Sequence, residues 1–305
     1  IHEYGWTYFY YVIKLELKKQ KLSMFVPDKS PQPAFLQKNY QHDYNNYLKQ
    51  SQHNLDDEFS STSKTIFSIK IIILFDGDIE RLESTINSLQ HQHYENWTGV
   101  ILPTTSQISK KLFKIGDYSN LQKIAFSNHE KKMSEQIRDS KSNFFCIINA
   151  GDLLDEFALS KSISYLNNDD FDIIYSDHDM IKDNLRTYPF FKPDWSPYLF
   201  RSMNFLSPFC LIKAKIFNQI SFETEFLNCF QYDFLLKCTE ITNKISHIPL
   251  PLCSVQEQQF SESNSNCIKT ILKNHLNRQN IQATVENGLM KNTFRINYEL
   301  NTKPK

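Results

Sequence analysis

The chain is poor in glycine, and the glycine-rich loops that bind phosphate are absent from it. Only 6 of its 305 residues are Gly, against 24 Phe and 15 Tyr. Neither the GxGxxG pattern of dinucleotide-binding folds nor the GxxxxGK[ST] pattern of P-loops occurs. Rossmann-type dehydrogenases and P-loop nucleotide hydrolases are therefore excluded.

The chain also lacks an excess of either charge and any long apolar run. Lys+Arg 34 balance Asp+Glu 34, which leaves no electrostatic footprint for nucleic acid. Apolar runs such as residues 71–75 (IIILF) are far shorter than the roughly 18 residues of a membrane span. We therefore expect no nucleic-acid partner and no integral membrane segment in this sequence.

The cysteines form no CxxC pair and show no metal-ligand spacing. They are Cys146, Cys210, Cys229, Cys238, Cys253 and Cys267. Several lie in apolar runs, where a free Cys behaves as a small buried hydrophobe, and this usage favours a reducing, cytoplasmic compartment. The sequence opens with Ile1 and has no signal-peptide pattern, so we interpret the chain as a piece of a longer protein.

Residues 1–65 differ in composition from the rest. An aromatic start and a cluster of lysines are followed by polar sequence. One interpretation is a helical extension that packs its rings on the main domain, and we favour it because no apolar face of period 3.6 spans the segment. The other is an interfacial segment, in which the rings and lysines of residues 1–21 make peripheral contact with an anionic membrane surface.

From residue 66 onward, short apolar runs alternate with segments of helical periodicity. Residues 66–75 predict a buried strand, and residues 79–92 place Leu82, Ile86 and Leu89 on one helical face. Further strands are predicted at 100–102, 124–126, 144–148 and 172–175, and further helices at 131–138 and 154–166. This alternation predicts an α/β fold with a mostly parallel central sheet and flanking helices. Ligands of such sheets bind at the carboxyl ends of strands, here residues 75–78, 103–106, 149–152 and 176–179.

Several short segments occur in an order that is typical of one enzyme family. They read FSIKIII at 67–73, LQHQHYENW at 89–97, YSDHD at 175–179, FKPDWSP at 191–197, QYDFLLK at 231–237 and HIP at 247–249. On these motifs, residues 40–305 resemble the family 2 glycosyltransferases of bacterial surface-polysaccharide synthesis, of the O-antigen or rhamnan type. YSDxD followed by FKPDWSP is far more specific than any single triplet.

The resemblance implies one domain with the GT-A fold of nucleotide-diphospho-sugar transferases at residues 66–275, preceded by the helical extension at 1–65. Residues 276–305 resemble the linker between the tandem domains of such proteins, so a second glycosyltransferase domain is an expected partner. The implied activity is hexosyl or rhamnosyl transfer from a nucleotide sugar to an oligosaccharide acceptor. The implied location is the cytoplasm, at the inner face of the cell membrane.

Donor-site positions of the family are altered here. Asn149-Ala150-Gly151-Asp152 stands where the family has a DxD triplet for a hard divalent cation, which prefers oxygen ligands. Asp152 keeps a carboxylate, and a helix N-cap also explains it. Residues 102–105 (LPTT) lack the family's base-binding Asp. Asp76 in the first turn is a remaining donor-side carboxylate, although Asp-Gly is foremost a turn signal.

The family's catalytic base is also replaced. Gln231 stands at its position, and an amide does not take up a proton near neutral pH. Asp233 follows two residues later, on another face of a helix, so it is not a simple substitute. Residues 252–256 (LCSVQ) replace a family segment whose Arg meets the diphosphate.

Together these changes predict a degenerate donor site, in which Asp76, Asn149 and Asp152 bind a nucleotide sugar weakly. A divalent cation, Mg²⁺ or Mn²⁺, is expected only if the site is active. Two functions stay open: an active transferase with a rearranged site and Asp233 as its catalytic residue, or a non-catalytic module, a pseudoenzyme that positions an acceptor or a partner enzyme.

The retained FKPDWSP segment points to the acceptor side of the family. Lys192, Asp194 and Trp195 are the candidate acceptor residues, since an indole stacks on a sugar and the charged groups bind its hydroxyls. The alternative is that Trp195, between two prolines, packs the loop. We expect a rigid loop in either case.

The acidic triplet at the end of YSDHD has the spacing of a metal motif. Asp177 and Asp179 are candidate ligands of a displaced metal site, with His178 as a possible third ligand. The alternative is that the triplet repeats the family's YSDED, which is not its metal triplet.

Overall fold

The computed structural model describes residues 40–56, 66–104, 108, 123–126, 141–168, 170–221, 229–256, 262–290 and 292–299. The predicted helix at 131–138 and the predicted membrane contact at 1–21 lie outside these residues. Within them, no helix is both long enough and apolar enough to cross a membrane.

Strands and helices alternate along the first half of the chain, as the hydrophobic pattern predicts. The helices are α1 (Tyr40–Asp56), α2 (Ile79–Gln90), α3 (Ala158–Asn168), α4 (Pro197–Ser202), α5 (Ala214–Phe217), α6 (Phe230–Ile241) and α7 (Glu262–Arg278). The strands are β1 (Ile69–Phe75), β2 (Trp97–Pro103), β3 (Ile124–Phe126), β4 (Phe144–Asn149), β5 (Leu153–Leu154), β6 (Ile173–Lys182), β7 (Leu185–Phe190), β8 (Cys210–Lys213), β9 (Ile245–Gln256), β10 (Ala283–Asn287) and β11 (Phe294–Tyr298).

Nine of the described strands form one central sheet, in the order β3-β2-β1-β4-β8-β6-β9-β5, with β7 paired to β6. β1 is parallel to β2 and β4, and β6 is parallel to β9. The short strand β8 is antiparallel to both β4 and β6. The α/β class is confirmed, and β1 to β4 pair in parallel as predicted. The sheet as a whole is mixed, because β8 is antiparallel to its two neighbours, β7 is antiparallel to β6 and β5 is antiparallel to β9.

Apolar side chains cover both faces of the sheet. Successive strand residues point to opposite faces, so Ile72 and Leu74 lie in one core while Ile71, Ile73 and Phe75 lie in the other. The first core is closed by α4, α6 and α7, and the second by α2 and α3. Burial on both sides explains why β1 is apolar along most of its length rather than alternating.

Helix α1 is the described part of the N-terminal extension, and it packs on the β6–β7 hairpin. Tyr44 is buried, and its hydroxyl donates to Asp179 Oδ2 at 2.6 Å. Gln41 Nε2 donates to the carbonyl oxygen of Arg186 at 2.6 Å. Residues 40–56 are therefore helical, and a tyrosine and an amide join them to the main domain.

The C-terminal hairpin β10–β11 also packs on the domain. Val285 and Phe294 are buried in the same core as α4 and α6. The hairpin contacts α7 through β10 and α4 through β11. Within the segment predicted as a linker, residues 276–305, the described hairpin thus packs on α4 and α7 and covers apolar surface. A second domain beyond it stays a prediction.

Arg186 on β7 is the shared counter-charge of two buried carboxylates. Its Nε donates to Asp179 Oδ2 at 2.7 Å, and its Nη1 donates to Asp155 Oδ2 at 3.0 Å. Its Nη2 donates to the carbonyl oxygen of Pro251 in β9. The Asp179 side chain is 0 % exposed and that of Asp155 is 8 % exposed. One guanidinium thus joins β6, β7, β9 and the end of β5.

We expect Arg186→Met to lower the free energy of unfolding by about 3 to 5 kcal/mol, because it leaves buried carboxylates without their main counter-charge. Urea unfolding followed by circular dichroism measures the loss. Asp170→Asn is the control, since Asp170 is 63 % exposed and pairs with lysines at the surface. We expect that variant to stay close to wild type. A loss below about 1 kcal/mol for Arg186→Met would show that the clamp is dispensable.

Candidate functional site

The strands β1 and β4 end at one edge of the sheet, and β6, which continues to Lys182, is level with this edge at Asp177. Leu74 of β1 pairs with Asn149 of β4 in parallel register. Phe145 of β4 and Ile173 of β6 both pair with Ile212 of β8, so those two positions are level across the sheet. The residues four further along each strand, Asn149 and Asp177, are therefore level as well. This edge holds most of the residues that the sequence singles out.

Asp152 closes the turn that follows β4. Its Oδ2 accepts from the backbone N of Asn149 at 2.8 Å and from Asn149 Nδ2 at 3.3 Å. The residue is 1 % exposed, and burial raises the pKa of its carboxyl to about 6. The expected N-cap role is wrong, because β5 separates Asp152 from α3 and the carboxylate is taken up by its own turn.

Arg81, which the sequence analysis missed, lies over this turn. It belongs to the first turn of α2, and its Nη1 is 3.3 Å from Asp76 Oδ2 at the end of β1. Gly151 has φ +102°, and a Cβ there would lie 2.5 Å from Arg81 Nε. The positive φ favours glycine at this position, and the guanidinium lies against it and bridges the ends of β1 and β4.

Gln231 and Asp233, at and near the family's base position, both have partners within the protein. Gln231 Nε2 donates to the carbonyl oxygens of Ile147 at 2.7 Å and Pro208 at 3.2 Å. Asp233 Oδ2 lies 2.7 Å from Lys237 Nζ one turn along α6, and both side chains are buried. The amide thus braces α6 against β4, and the carboxylate is neutralised within its own helix.

Asp177 holds a histidine and the FKPDWSP loop. Its Oδ1 accepts from the backbone N of Lys192 at 2.7 Å and lies 2.7 Å from His247 Nε2. The other ring nitrogen of His247, Nδ1, lies 3.6 Å from Asp194 Oδ1. The imidazole also stacks on Tyr175, with centroids 5.0 Å apart. His247 stands in the HIP segment of the sequence, and only its spatial pairing with Asp177 reveals it as a site residue.

The other members of the acidic triplet serve the fold around β6. Asp179 accepts from Tyr44 and Arg186. His178 is packed beside the ring of Phe190 at 5.3 Å, and burial lowers its pKa well below the usual range. In the described part of the chain, no group of three or more His, Cys, Asp or Glu side chains is placed to hold a metal ion. A metal site at Asp177 and Asp179 stays a prediction.

The three candidate acceptor residues differ in exposure. Lys192 is buried, its Nζ donates to the carbonyl oxygen of Ser207 at 2.8 Å, and burial lowers its pKa to about 8. The Asp194 side chain is 90 % exposed. Trp195 is partly buried, with its ring 5.4 Å from that of Phe200 and 6.1 Å from that of Phe205. Asp194 is thus the one of the three that is open to a ligand without rearrangement.

We expect Trp195→Ala to cost about 3 kcal/mol of stability, because it removes ring contacts from the core formed with α4. Thermal unfolding and the affinity for an oligosaccharide acceptor are measured on the same variant. Tyr198→Ala is the control, as Tyr198 is 67 % exposed on α4. An unchanged melting temperature with weaker acceptor binding would instead make Trp195 a sugar-stacking residue.

The raised pKa of Asp152 predicts a pH dependence of stability. The folded state holds the proton up to about pH 6, whereas the unfolded chain releases it near pH 4. The unfolded state therefore binds fewer protons in this window, and the contribution of Asp152 to stability falls as the pH rises. Asp152→Asn keeps an oxygen that accepts from Asn149 and removes this dependence.

We expect the free energy of unfolding of Asp152→Asn to rise by about 1 kcal/mol relative to that of wild type when the pH is raised from 5 to 7.5. Urea unfolding at both pH values measures this change. Asp170→Asn is the control. Hydrogen bonds from Lys213 and Lys244 lower the pKa of Asp170, so its contribution to stability changes with pH only in acid, below this window. If Asp152→Asn differs from wild type by the same free energy at both pH values, the raised pKa of Asp152 is refuted.

No protein-family model matches the chain. Among curated proteins, the chain is 25 % identical over 242 residues to the O-antigen biosynthesis protein RfbC of Myxococcus xanthus, covering 73 % of this chain and 19 % of that protein. It is 22 % identical over 171 residues to a glycosyltransferase of Methanocaldococcus jannaschii, covering 52 % of this chain and 59 % of the relative. The chain thus spans less than two thirds of the length of either protein.

Among solved structures, TarS of S. aureus in complex with UDP-GlcNAc superposes with a TM-score of 0.52 at 14 % identity. The superposition covers 69 % of this chain and 67 % of the TarS chain. At this identity the similarity concerns the fold. The order of the motifs, the curated relatives and the shared fold agree in what the chain is similar to, namely the family 2 glycosyltransferases.

Proposed function

We propose that this domain binds a nucleotide sugar at the edge where β1 and β4 end, and that it serves the synthesis of a cell-surface polysaccharide. The observation that carries the proposal is the Asn149–Asp152 turn, which lies at the carboxyl ends of two adjacent parallel strands, where α/β sheets bind ligands. Two relatives support it by name, one in O-antigen biosynthesis and one as a glycosyltransferase. TarS, which shares the fold, is known in complex with UDP-GlcNAc.

The residues of the turn favour weak binding without a divalent cation. Asn149 and Gly151 bring no carboxylate, and the carboxylate of Asp152 is used by Asn149. Hard cations need several oxygen ligands, which this turn does not offer. The domain therefore acts beside a catalytic partner, such as a second glycosyltransferase domain of the same protein, in the cytoplasm at the membrane.

A second candidate function is sugar transfer with a rearranged site, and His247 favours it. In the tautomer in which the Nε2–H of His247 donates a hydrogen bond to Asp177, Nδ1 carries no proton and can accept one. This nitrogen faces the exposed Asp194. A base of this kind can deprotonate an acceptor hydroxyl. Gln231 cannot, and Asp233 is already paired with Lys237.

Calorimetric titration of the chain with UDP, TDP, GDP and their sugars, with Mn²⁺ and with EDTA, tests the proposal. We expect weak binding that is equal in both conditions. Micromolar binding that depends on Mn²⁺ would overturn the degenerate donor site. No binding by any nucleotide would refute the proposed function itself.

Release of nucleoside diphosphate in the presence of acceptor separates the two candidates. No turnover favours the non-catalytic domain. Turnover that falls by about 100-fold or more in His247→Gln favours the rearranged transferase. His275→Gln is the matched control. His275 belongs to α7, and its Nδ1 is hydrogen-bonded to Glu240, so it has no part in the proposed site.

A further inference from the structure

We propose that the guanidinium of Arg81 binds the diphosphate of the nucleotide sugar, in the place that a divalent cation has in a metal-dependent site. The inference rests on the proposed function, because it assigns the group that meets the donor at the same edge. It concerns a residue that none of the motifs contains.

The position of Arg81 follows from the chain path. Asp78 caps α2, and its Oδ1 accepts from the backbone N of Arg81 at 3.2 Å, which places Arg81 one turn beyond the end of β1. Its side chain reaches across to the turn after β4, where a Cβ on Gly151 would lie 2.5 Å from Nε and 2.8 Å from Nη2. The charge therefore lies between the carboxyl ends of two parallel strands, the place where such sheets bind ligands.

Part of the guanidinium has no partner. Nε and Nη2 of Arg81 are buried, and neither makes a hydrogen bond. Leaving a buried charged donor unpaired is more costly than leaving a neutral one unpaired. These two N–H groups form the planar fork that binds phosphate or carboxylate with two parallel hydrogen bonds. The two N–H groups of Arg81 that lack a partner thus have the geometry that binds an anion.

The neighbouring carboxylates do not fill this fork. Asp76 approaches only Nη1, and it remains 54 % exposed. Asp152 Oδ2 is turned toward Asn149 and makes both of its hydrogen bonds there. The Arg81 side chain is 21 % exposed, so an anion that enters the edge can reach the guanidinium by a shift of the side chain rather than by opening the core.

Charge also argues for an anion here and against a divalent cation. A fixed positive charge repels Mg²⁺ or Mn²⁺ at close range. Asn149 and Gly151 supply no negative charge, and of the carboxylates beside Arg81, Asp76 is paired with Nη1 while Asp152 accepts its hydrogen bonds from Asn149. An arginine side chain carries its positive charge at every physiological pH. A diphosphate that carries several anionic oxygens fits this environment.

Calorimetry with inorganic pyrophosphate and with UDP, both in EDTA, tests the assignment on the whole chain. We expect Arg81→Gln to weaken both affinities by about tenfold or more. Arg81→Lys keeps the charge but not the planar fork, so we expect its affinities to lie between those of wild type and Arg81→Gln. We expect Asp76→Asn to strengthen both, since it removes a competing negative charge. Arg295→Gln, on the exposed face of β11, is the matched control and should bind as wild type.

Each outcome separates the inference from the proposed function. UDP binding that is equal in wild type and in a folded Arg81→Gln, as shown by circular dichroism and thermal melting, overturns the role of Arg81 and leaves nucleotide binding intact. Pyrophosphate binding that depends on Arg81, without binding of any nucleotide, supports the anion site and refutes the proposed function. Binding of neither probe by wild type refutes both. If Arg81→Gln fails to fold, equal affinities in Arg81→Lys and wild type overturn the bidentate contact.

Discussion

The structure depends on neutralising two carboxylates that β6 buries in the middle of the domain. Asp177 and Asp179 are 1 % and 0 % exposed, and a buried charge is tolerated only with hydrogen bonds and a counter-charge. Their partners come from distant parts of the chain: Tyr44 from α1, Arg186 from β7, the Lys192 backbone from the FKPDWSP loop and His247 from β9. The hydrogen bonds to these two carboxylates thus hold the helical extension, the β6–β7 hairpin and the FKPDWSP loop together.

The same constraint separates the two sides of the candidate site. On the side of β6, the carboxylates of Asp177 and Asp179 are committed to the fold, the Asp194 side chain is exposed, and the buried imidazole of His247 turns Nδ1 toward it. On the side of β1 and β4, the buried carboxylate of Asp152 is committed to its own turn, and the polar atoms without a hydrogen bond are Nε and Nη2 of Arg81. Under the proposed function, this positive group meets the donor phosphate, and the imidazole of His247 lies farther along the sheet.

The hydrophobic pattern of the sequence predicted those strands, turns and helices that can be recognised from a short stretch of residues. The apolar run at 69–75, the Asp-Gly turn after it and the amphipathic face of Leu82, Ile86 and Leu89 all lie within one short window, and the structure has them there. It did not predict that β8 runs antiparallel or that 283–298 form a packed hairpin. Pairing direction and docking depend on contacts between distant segments, which neither periodicity nor composition records.

The site follows the same rule. Sequence reasoning found Asn149, Asp152 and Asp177 because strand ends are visible in one dimension, whereas Arg81 and His247 gain meaning only from neighbours about 70 residues away. Gly151 shows the difference: in the sequence it is a position without a carboxylate, and in the structure the Arg81 guanidinium lies against it. Under the proposed function, the residue without a carboxylate and the arginine beside it belong to one site, in which a guanidinium rather than a metal ion meets the phosphate.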